Sequence, residues 1–98
     1  MIDTKAQEIR AGRQAEDLLK NEAFQRAITA LRKEYHDAWE STPLHEQDRL
    51  LAIRQAIGNL NRVISHLESM LASGAITKKQ IDELEERRKR NLFQRIVA

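Results

Sequence analysis

The chain has 98 residues, which is enough for one domain, but a chain this short buries only part of its surface and is expected to have a thin core. It contains no cysteine, so disulfides and thiolate metal sites are excluded. The 17 basic and 15 acidic side chains nearly balance, so binding to a polyanion can be argued only from local clusters of charge.

The choice of residues favours helix throughout, because glycine and proline are scarce and alanine, leucine, glutamate, glutamine, lysine and arginine dominate. No apolar run is long enough to span a membrane. The first residues, Met1 to Thr4, lack the apolar core of a signal peptide. We therefore expect an all-α, cytoplasmic protein with one helical domain over residues 1–98 and no membrane contact.

The first 20 residues are helical in composition, but their apolar positions are out of line with those that follow. Ala11, Ala15 and Leu18 face roughly opposite to the next apolar stripe. Asn21 is a good N-cap residue and predicts a break there. The alternative is one continuous, bent helix over residues 3–40.

Residues 22–40 predict a second amphipathic helix, because their apolar side chains recur at steps of three and four. That stripe consists of Phe24, Ile28, Leu31, Tyr35 and Ala38. Thr42 then resembles an N-cap and Pro43 the first residue of a third helix. A connection this short makes the two helices antiparallel neighbours, so we expect an antiparallel helical hairpin over residues 22–73, in a small bundle or coiled-coil-like arrangement.

The third helix, predicted over residues 43–73, carries the clearest pattern, a heptad seam in which every position is aliphatic. The seam consists of Leu50, Ile53, Ile57, Leu60, Ile64, Leu67 and Leu71. Ala56, Val63 and Met70 widen this stripe on one side, which predicts more than one neighbouring helix. Gly74 is expected just past the end of the helix.

Residues 22–40 are too short to cover the whole seam, and each large apolar side chain left exposed forfeits roughly 1.5–3 kcal/mol. Residues 3–20, the C-terminal segment or a second subunit are the candidates to cover residues 63–71. Because small chains often bury such surface by self-association, we predict a homo-oligomer, with a dimer favoured. A monomeric three- or four-helix bundle is the alternative.

Residues 77–97 predict a charged C-terminal helix that folds back on the hairpin or projects from it. Thr77 and Gln80 have capping-box spacing. Three glutamates each stand four residues before a basic side chain, as in a solvated helix supported by ion pairs; they are Glu83, Glu85 and Glu86.

The basic cluster of this helix is the candidate contact for nucleic acid or another acidic partner; it consists of Arg87, Arg88, Lys89 and Arg90. The glutamates before it and the lack of interleaved aromatic residues favour a solvated helix face instead.

Two apolar features have two alternative roles each: packing within the chain or binding a protein partner. The C-terminal tip docks on the hairpin or enters a groove on a partner; it consists of Leu92, Phe93, Ile96 and Val97. Trp39 either staples the helix packing or is an exposed anchor for a partner.

The sequence predicts no catalytic, metal or cofactor site, and hence a protein that is not an enzyme. His36, His45 and His66 have no histidine or acidic neighbour at a metal-ligand spacing, and the last two are predicted to lie far apart on one helix. No glycine-rich phosphate loop and no nucleophile in a recognisable setting is present.

Residues 11–75 resemble small helical proteins of tailed phages and prophages, in which a leucine pair precedes an Asn or Asp cap and a tryptophan ends the first hairpin helix. The residues that carry the resemblance are Ala15, Leu18, Leu19, Asn21, Phe24, Ala38, Trp39, Ser41, Thr42, Arg49, Leu60, Leu67 and Gly74. The resemblance implies a phage or prophage gene product with a non-enzymatic role. The basic cluster lies outside it.

Overall fold

A computed structural model of the chain describes the backbone of residues 2–97 and the side chains of residues 4–96. Over this range it forms three α-helices and no strand: α1 (Ile2–Lys20), α2 (Glu22–Ser41) and α3 (Gln47–Val97). The all-α class predicted from composition is confirmed. No helix in the described range combines the length and the apolar character that crossing a membrane requires.

The chain breaks at Asn21, between α1 and α2. Asn21 has an extended backbone (φ −67°, ψ 126°), and its side-chain oxygen accepts a hydrogen bond from the backbone N–H of Phe24 at 2.9 Å. This bond satisfies one of the donors that a helix start leaves without an intrahelical partner. The structure therefore has the capped break that Asn21 predicts, and not one continuous helix over residues 3–40.

Replacing Asn21 with alanine is expected to lower the free energy of unfolding by about 1 kcal/mol, because the Phe24 N–H loses its partner. Asn21→Gly is the matched control. It is expected to lower the free energy of unfolding by only a few tenths of a kcal/mol, since glycine is tolerated at the N-cap position. Urea denaturation of both variants measures the difference. Equal stability of the alanine variant and the wild type would contradict a functional cap.

The predicted start of the third helix at Thr42-Pro43 is wrong. Thr42 instead ends α2: its backbone N–H donates to the Trp39 carbonyl at 3.3 Å, and its hydroxyl donates to the Ala38 carbonyl. The Pro43 carbonyl accepts a hydrogen bond from the Glu46 N–H at 3.0 Å, which closes a tight turn. Residues 42–46 form the connection between α2 and α3, so α3 begins only at Gln47.

The predicted break between residues 73 and 77 is also wrong, because α3 runs through it as one helix of 51 residues. None of the described glycines has the positive φ that a helix-ending glycine adopts, so Gly74 is not a C-cap. Thr77 is likewise an interior residue of α3 and not an N-cap. At 1.5 Å per residue α3 is about 76 Å long.

The main packing in the molecule is between α1 and α3, which run in opposite directions. Glu8 of α1 contacts Thr77 of α3, and Gly12 further along α1 contacts Gly74 and Met70 earlier in α3. The predicted partner of α3, α2, has no buried residue and contacts α3 less extensively. The cover over residues 63–71 is therefore supplied at least in part by α1, one of the three predicted candidates.

The molecule is a rod with dimensions of 80 × 25 × 19 Å. Its radius of gyration is 22.1 Å, whereas a compact domain of this length has about 13 Å. Most of each helix therefore faces solvent.

Candidate functional site

The buried residues of the described chain fall into two clusters, one where α1 crosses α3 and one at the turn. The crossing cluster consists of Gly12, Ala15, Gly74 and Thr77, and the turn cluster consists of Thr42 and Leu50. Between and beyond these two clusters, apolar side chains are at most half-buried.

At the crossing the two helix backbones are in direct contact. A Cβ placed on Gly74 would lie 2.9 Å from both the Glu8 carbonyl oxygen and the Gly12 Cα, closer than real Cβ contacts permit. Beside this contact, the Thr77 hydroxyl donates a hydrogen bond of 2.7 Å to the Glu8 carboxylate. Ala15 is only 2% exposed there. The glycines thus act by lacking a side chain, which lets the backbones approach.

The predicted seam lies on one face of α3, but α1 and α2 cover it incompletely. Leu50 is buried at 8% exposure. The other six seam residues are half-buried; they are Ile53, Ile57, Leu60, Ile64, Leu67 and Leu71. On the widened side of the stripe, Val63 is 51% exposed and Met70 is 41% exposed.

An open groove of about 600 Å³ separates the last turns of α2 from α3. Its apolar lining includes Tyr35 and Trp39 from α2 and Ile57 and Leu60 from α3. Trp39 is 39% exposed, so its ring forms a wall of the groove and is accessible to a partner. Ile57 and Leu60 are only half-buried there, because α2 stands off from α3 and leaves the groove open between the two helices.

The accessible surface of the chain is 8393 Å², whereas a compact monomer of 11.4 kDa exposes about 5,800 Å². In a standard interface each partner buries about 800 Å². The accessible surface that the chain exposes beyond that of a compact monomer is therefore larger than one side of a standard interface.

The C-terminal part of α3 is exposed throughout the described side chains from Asp82 to Ile96. The basic cluster lies there, and none of the glutamates predicted to pair with it forms an ion pair in the described structure. Leu92, Phe93 and Ile96 are 59%, 66% and 76% exposed, so the described part of the apolar tip does not dock on the chain's own helices. Val97, the fourth predicted tip residue, lies outside the described side chains.

The turn, at the opposite end of the rod, carries an acidic segment that basic residues flank: Arg32 and Lys33 precede it and Arg49 follows it. Between residues 34 and 48 the sequence has no lysine or arginine, and it carries Glu34, Asp37, Glu40, Glu46 and Asp48. Lys33, just outside this stretch, pairs with Asp37 at 2.9 Å. Leu44 and Leu51 at this end are 81% and 56% exposed. No contiguous run marks this segment in the sequence, because its acidic residues are spaced over α2, the turn and the start of α3.

The ion pairs of the described residues are exposed contacts within α1 and α2, and such pairs contribute little to stability. The hydrogen bond from Lys20 and the charge of Lys20 lower the pKa of the Glu16 carboxyl. In the same way, the hydrogen bond to Asp37 and the charge of Asp37 raise the pKa of Lys33. Neither shift marks a reactive group, because both side chains are solvated.

No three histidine or acidic side chains of the described residues converge on a point where they would hold a metal ion. His36 lines the groove, and His66 lies on the exposed face of α3. His45 lies in the turn, so the prediction that it shares a helix with His66 is wrong.

No protein-family model matches this sequence, and neither a curated protein nor a solved structure is significantly similar to it.

Proposed function

We propose that this protein is a non-enzymatic helical interaction protein that works as a homodimer. The observation that carries the proposal is the half-buried seam of α3: a regular heptad series of aliphatic residues of which only Leu50 is buried in the single chain. In a heptad seam these positions normally insert between the side chains of a facing helix.

Burial energetics support a second copy as that facing surface. Full burial of a large aliphatic side chain contributes roughly 1.5–3 kcal/mol, and each half-buried seam residue would gain the remaining part of this energy if a second copy covered it. Since six consecutive seam positions are in this state, closing them together is a large gain for a chain with so small a core. A second copy that packs on the seam would close the helices of both chains into one bundle.

Sedimentation velocity across a range of concentrations tests the proposal, because the chain mass is 11.4 kDa and a dimer has twice that mass. We expect a reversible shift from monomer to dimer. A chain that stays at 11.4 kDa up to high concentration would overturn the proposal.

Val63→Lys is expected to weaken the dimer at least about ten-fold, because it places a charge beside the seam where the second copy packs. Val63 is 51% exposed, so the single chain tolerates the substitution. Gln55→Lys, on the exposed polar face of the same helix, is the matched control and should leave the dimer unchanged. Equal dimer affinity of the two variants, measured by sedimentation equilibrium, would exclude this side of α3 from the interface.

We also propose that the protein is encoded by a phage or prophage and that it binds a protein partner. The resemblance of residues 11–75 to small helical phage and prophage proteins supports a phage-encoded protein with a connecting role and no chemistry of its own. Trp39 supports a partner-binding role for the groove, since half-exposed tryptophans are frequent anchors in interfaces. Loss of a partner on Trp39→Ala, with the dimer intact, would separate this role from self-association.

A second candidate function, binding of nucleic acid, is supported by the exposed basic cluster of α3 and the absence of its predicted ion pairs among the described residues. Fluorescence anisotropy with duplex DNA tests it. Binding that weakens steeply with salt and disappears when Arg87 to Arg90 are replaced by glutamine would support it. No binding at low salt would dismiss it.

A further inference from the structure

The groove between α2 and α3 has basic as well as apolar walls. One arginine stands in each wall, Arg32 in α2 and Arg54 in α3, and both are exposed. The imidazole of His36 lines the same groove, and none of the described residues that line it is acidic. The groove therefore presents positive charge on both sides of its apolar surface.

The neighbouring residues reduce this positive charge but do not reverse it. Within one helical turn of the lining residues, α2 and α3 carry four basic and three acidic side chains. The acidic ones all belong to α2: Glu34 and Asp37 fall between the lining positions, Asp37 pairs with Lys33, and Glu40 follows the last lining residue of α2. On α3, residues 49–67 contain three arginines and no acidic residue. The wall that α3 provides is therefore free of negative charge.

The groove has the length and the apolar lining that suit one short helix. Its lining residues lie between positions 32 and 39 in α2 and between 54 and 61 in α3, which is about 10 Å or two turns along each helix. Ile57 and Leu60 are half-buried at its base, and the rings of Tyr35 and Trp39 stand beside them. Amphipathic helices bind grooves of this kind through their apolar face.

We infer that the groove binds an amphipathic helix of another protein, in which carboxylates flank the apolar stripe on both sides. This inference rests on the proposed partner-binding role of the groove and specifies the chemistry of the partner. A carboxylate on each flank meets the arginine of the nearer wall, Arg32 or Arg54. Arginine binds carboxylates with two parallel hydrogen bonds, so the pair of arginines also fixes the orientation of the helix.

Two other occupants suit the groove less well. The chain's own exposed apolar tip at Leu92 and Phe93 directly follows the basic cluster, so in a second copy it would bring positive charge to the two arginines. A single-stranded nucleic acid would satisfy the arginines, but it binds by stacking its bases on aromatic rings. Here the base of the groove is aliphatic and Tyr35 is half-buried.

The acidic helix and the second copy of the proposed homodimer use different sides of α3. Asn61 lines the groove, whereas Val63, beside which the second copy packs, does not. Residues two positions apart on an α-helix point about 200° apart, so Val63 lies on the opposite flank of α3 from Asn61. Binding in the groove therefore leaves the Val63 side open to the second copy.

Trp39 is the single tryptophan of the chain and lines the groove, so its fluorescence reports occupation directly. The probe is a designed helical peptide without tryptophan, with leucine at the a and d positions of each heptad and glutamate at the flanking e and g positions. We expect this peptide to shift the Trp39 emission to shorter wavelength and to saturate. The same peptide with lysine in place of glutamate should bind at least about ten-fold more weakly.

Charge reversal in the groove should invert this preference. In the variant that carries Arg32→Glu and Arg54→Glu, the lysine peptide is expected to bind more tightly than the glutamate peptide. Arg26→Glu with Arg62→Glu is the matched control, because these exposed arginines lie on the same two helices and outside the groove. The control should keep the wild-type preference at physiological salt, where charges beyond about 8 Å are screened.

The possible failures are distinguishable. Equal binding of the two peptides to the wild type would overturn the acidic partner and leave the groove as a helix-binding site. Binding of neither peptide would overturn the partner-binding role of the groove as well. If an oligothymidylate shifts the Trp39 emission and the glutamate peptide does not, the groove binds nucleic acid and the inference is wrong. A chain that stays monomeric in sedimentation but binds the glutamate peptide would overturn the homodimer alone.

Discussion

Replacing Gly74 with alanine is expected to lower the free energy of unfolding by about 1–3 kcal/mol, as overpacking of a tight contact does. The new Cβ would lie 2.9 Å from the Glu8 carbonyl oxygen and the Gly12 Cα, and both of these are backbone atoms that move only if α1 shifts away. Separation of α1 from α3 would also disturb the hydrogen bond between Thr77 and Glu8. Urea denaturation at one fixed protein concentration measures the loss.

Gly58→Ala is the matched control, because it makes the same change in the same helix with nothing within 4 Å of the new Cβ. Alanine is the better helix former, so this variant is expected to gain roughly 0.5–1 kcal/mol. The same substitution should therefore have opposite signs at the two positions. Stabilisation by alanine at both positions would contradict the close crossing of α1 and α3.

Replacing Leu50 with alanine is expected to cost about 2–4 kcal/mol, which makes it the largest effect of a single truncation at the turn. Leu50 is only 8% exposed and is the one buried aliphatic side chain of the described residues next to the turn. Leu44→Ala removes the same atoms from a side chain that is 81% exposed, and it should change stability by only about 0.5 kcal/mol or less.

The difference between these two leucine variants tests whether the turn is a packed element. Thermal unfolding followed by circular dichroism, again at one concentration, is sufficient to measure it. If both variants unfold at the wild-type temperature, Leu50 is not packed at the turn.

Local signals in the sequence were sufficient for the fold class and for the break at Asn21. Helix-forming composition and a side chain that caps its own helix act over a few residues, so they can be recognised without knowing the tertiary structure. The heptad series from Leu50 to Leu71 likewise identified the apolar face of α3. Whether a second copy covers that face stays a prediction.

The wrong prediction of a helix boundary near Gly74 arose because a residue there has two common roles that only tertiary packing distinguishes. Gly74 followed by Thr77 is typical of a helix end and a new start, but a glycine also allows close approach of a second backbone. The distinguishing signal was present in both helices, since Gly12 and Ala15 have the same spacing of three as Gly74 and Thr77. The acidic segment at residues 34–48 was missed for a different reason, because its charges are spaced over two helices and the turn between them and form no contiguous run.

Small-angle X-ray scattering tests the central claim, a rod whose exposed seam is closed by a second copy lying alongside it. We expect twice the 11.4 kDa chain mass with a maximum dimension close to the 80 Å length of the single chain. A mass of one chain, or a doubled mass with a nearly doubled length, would contradict it.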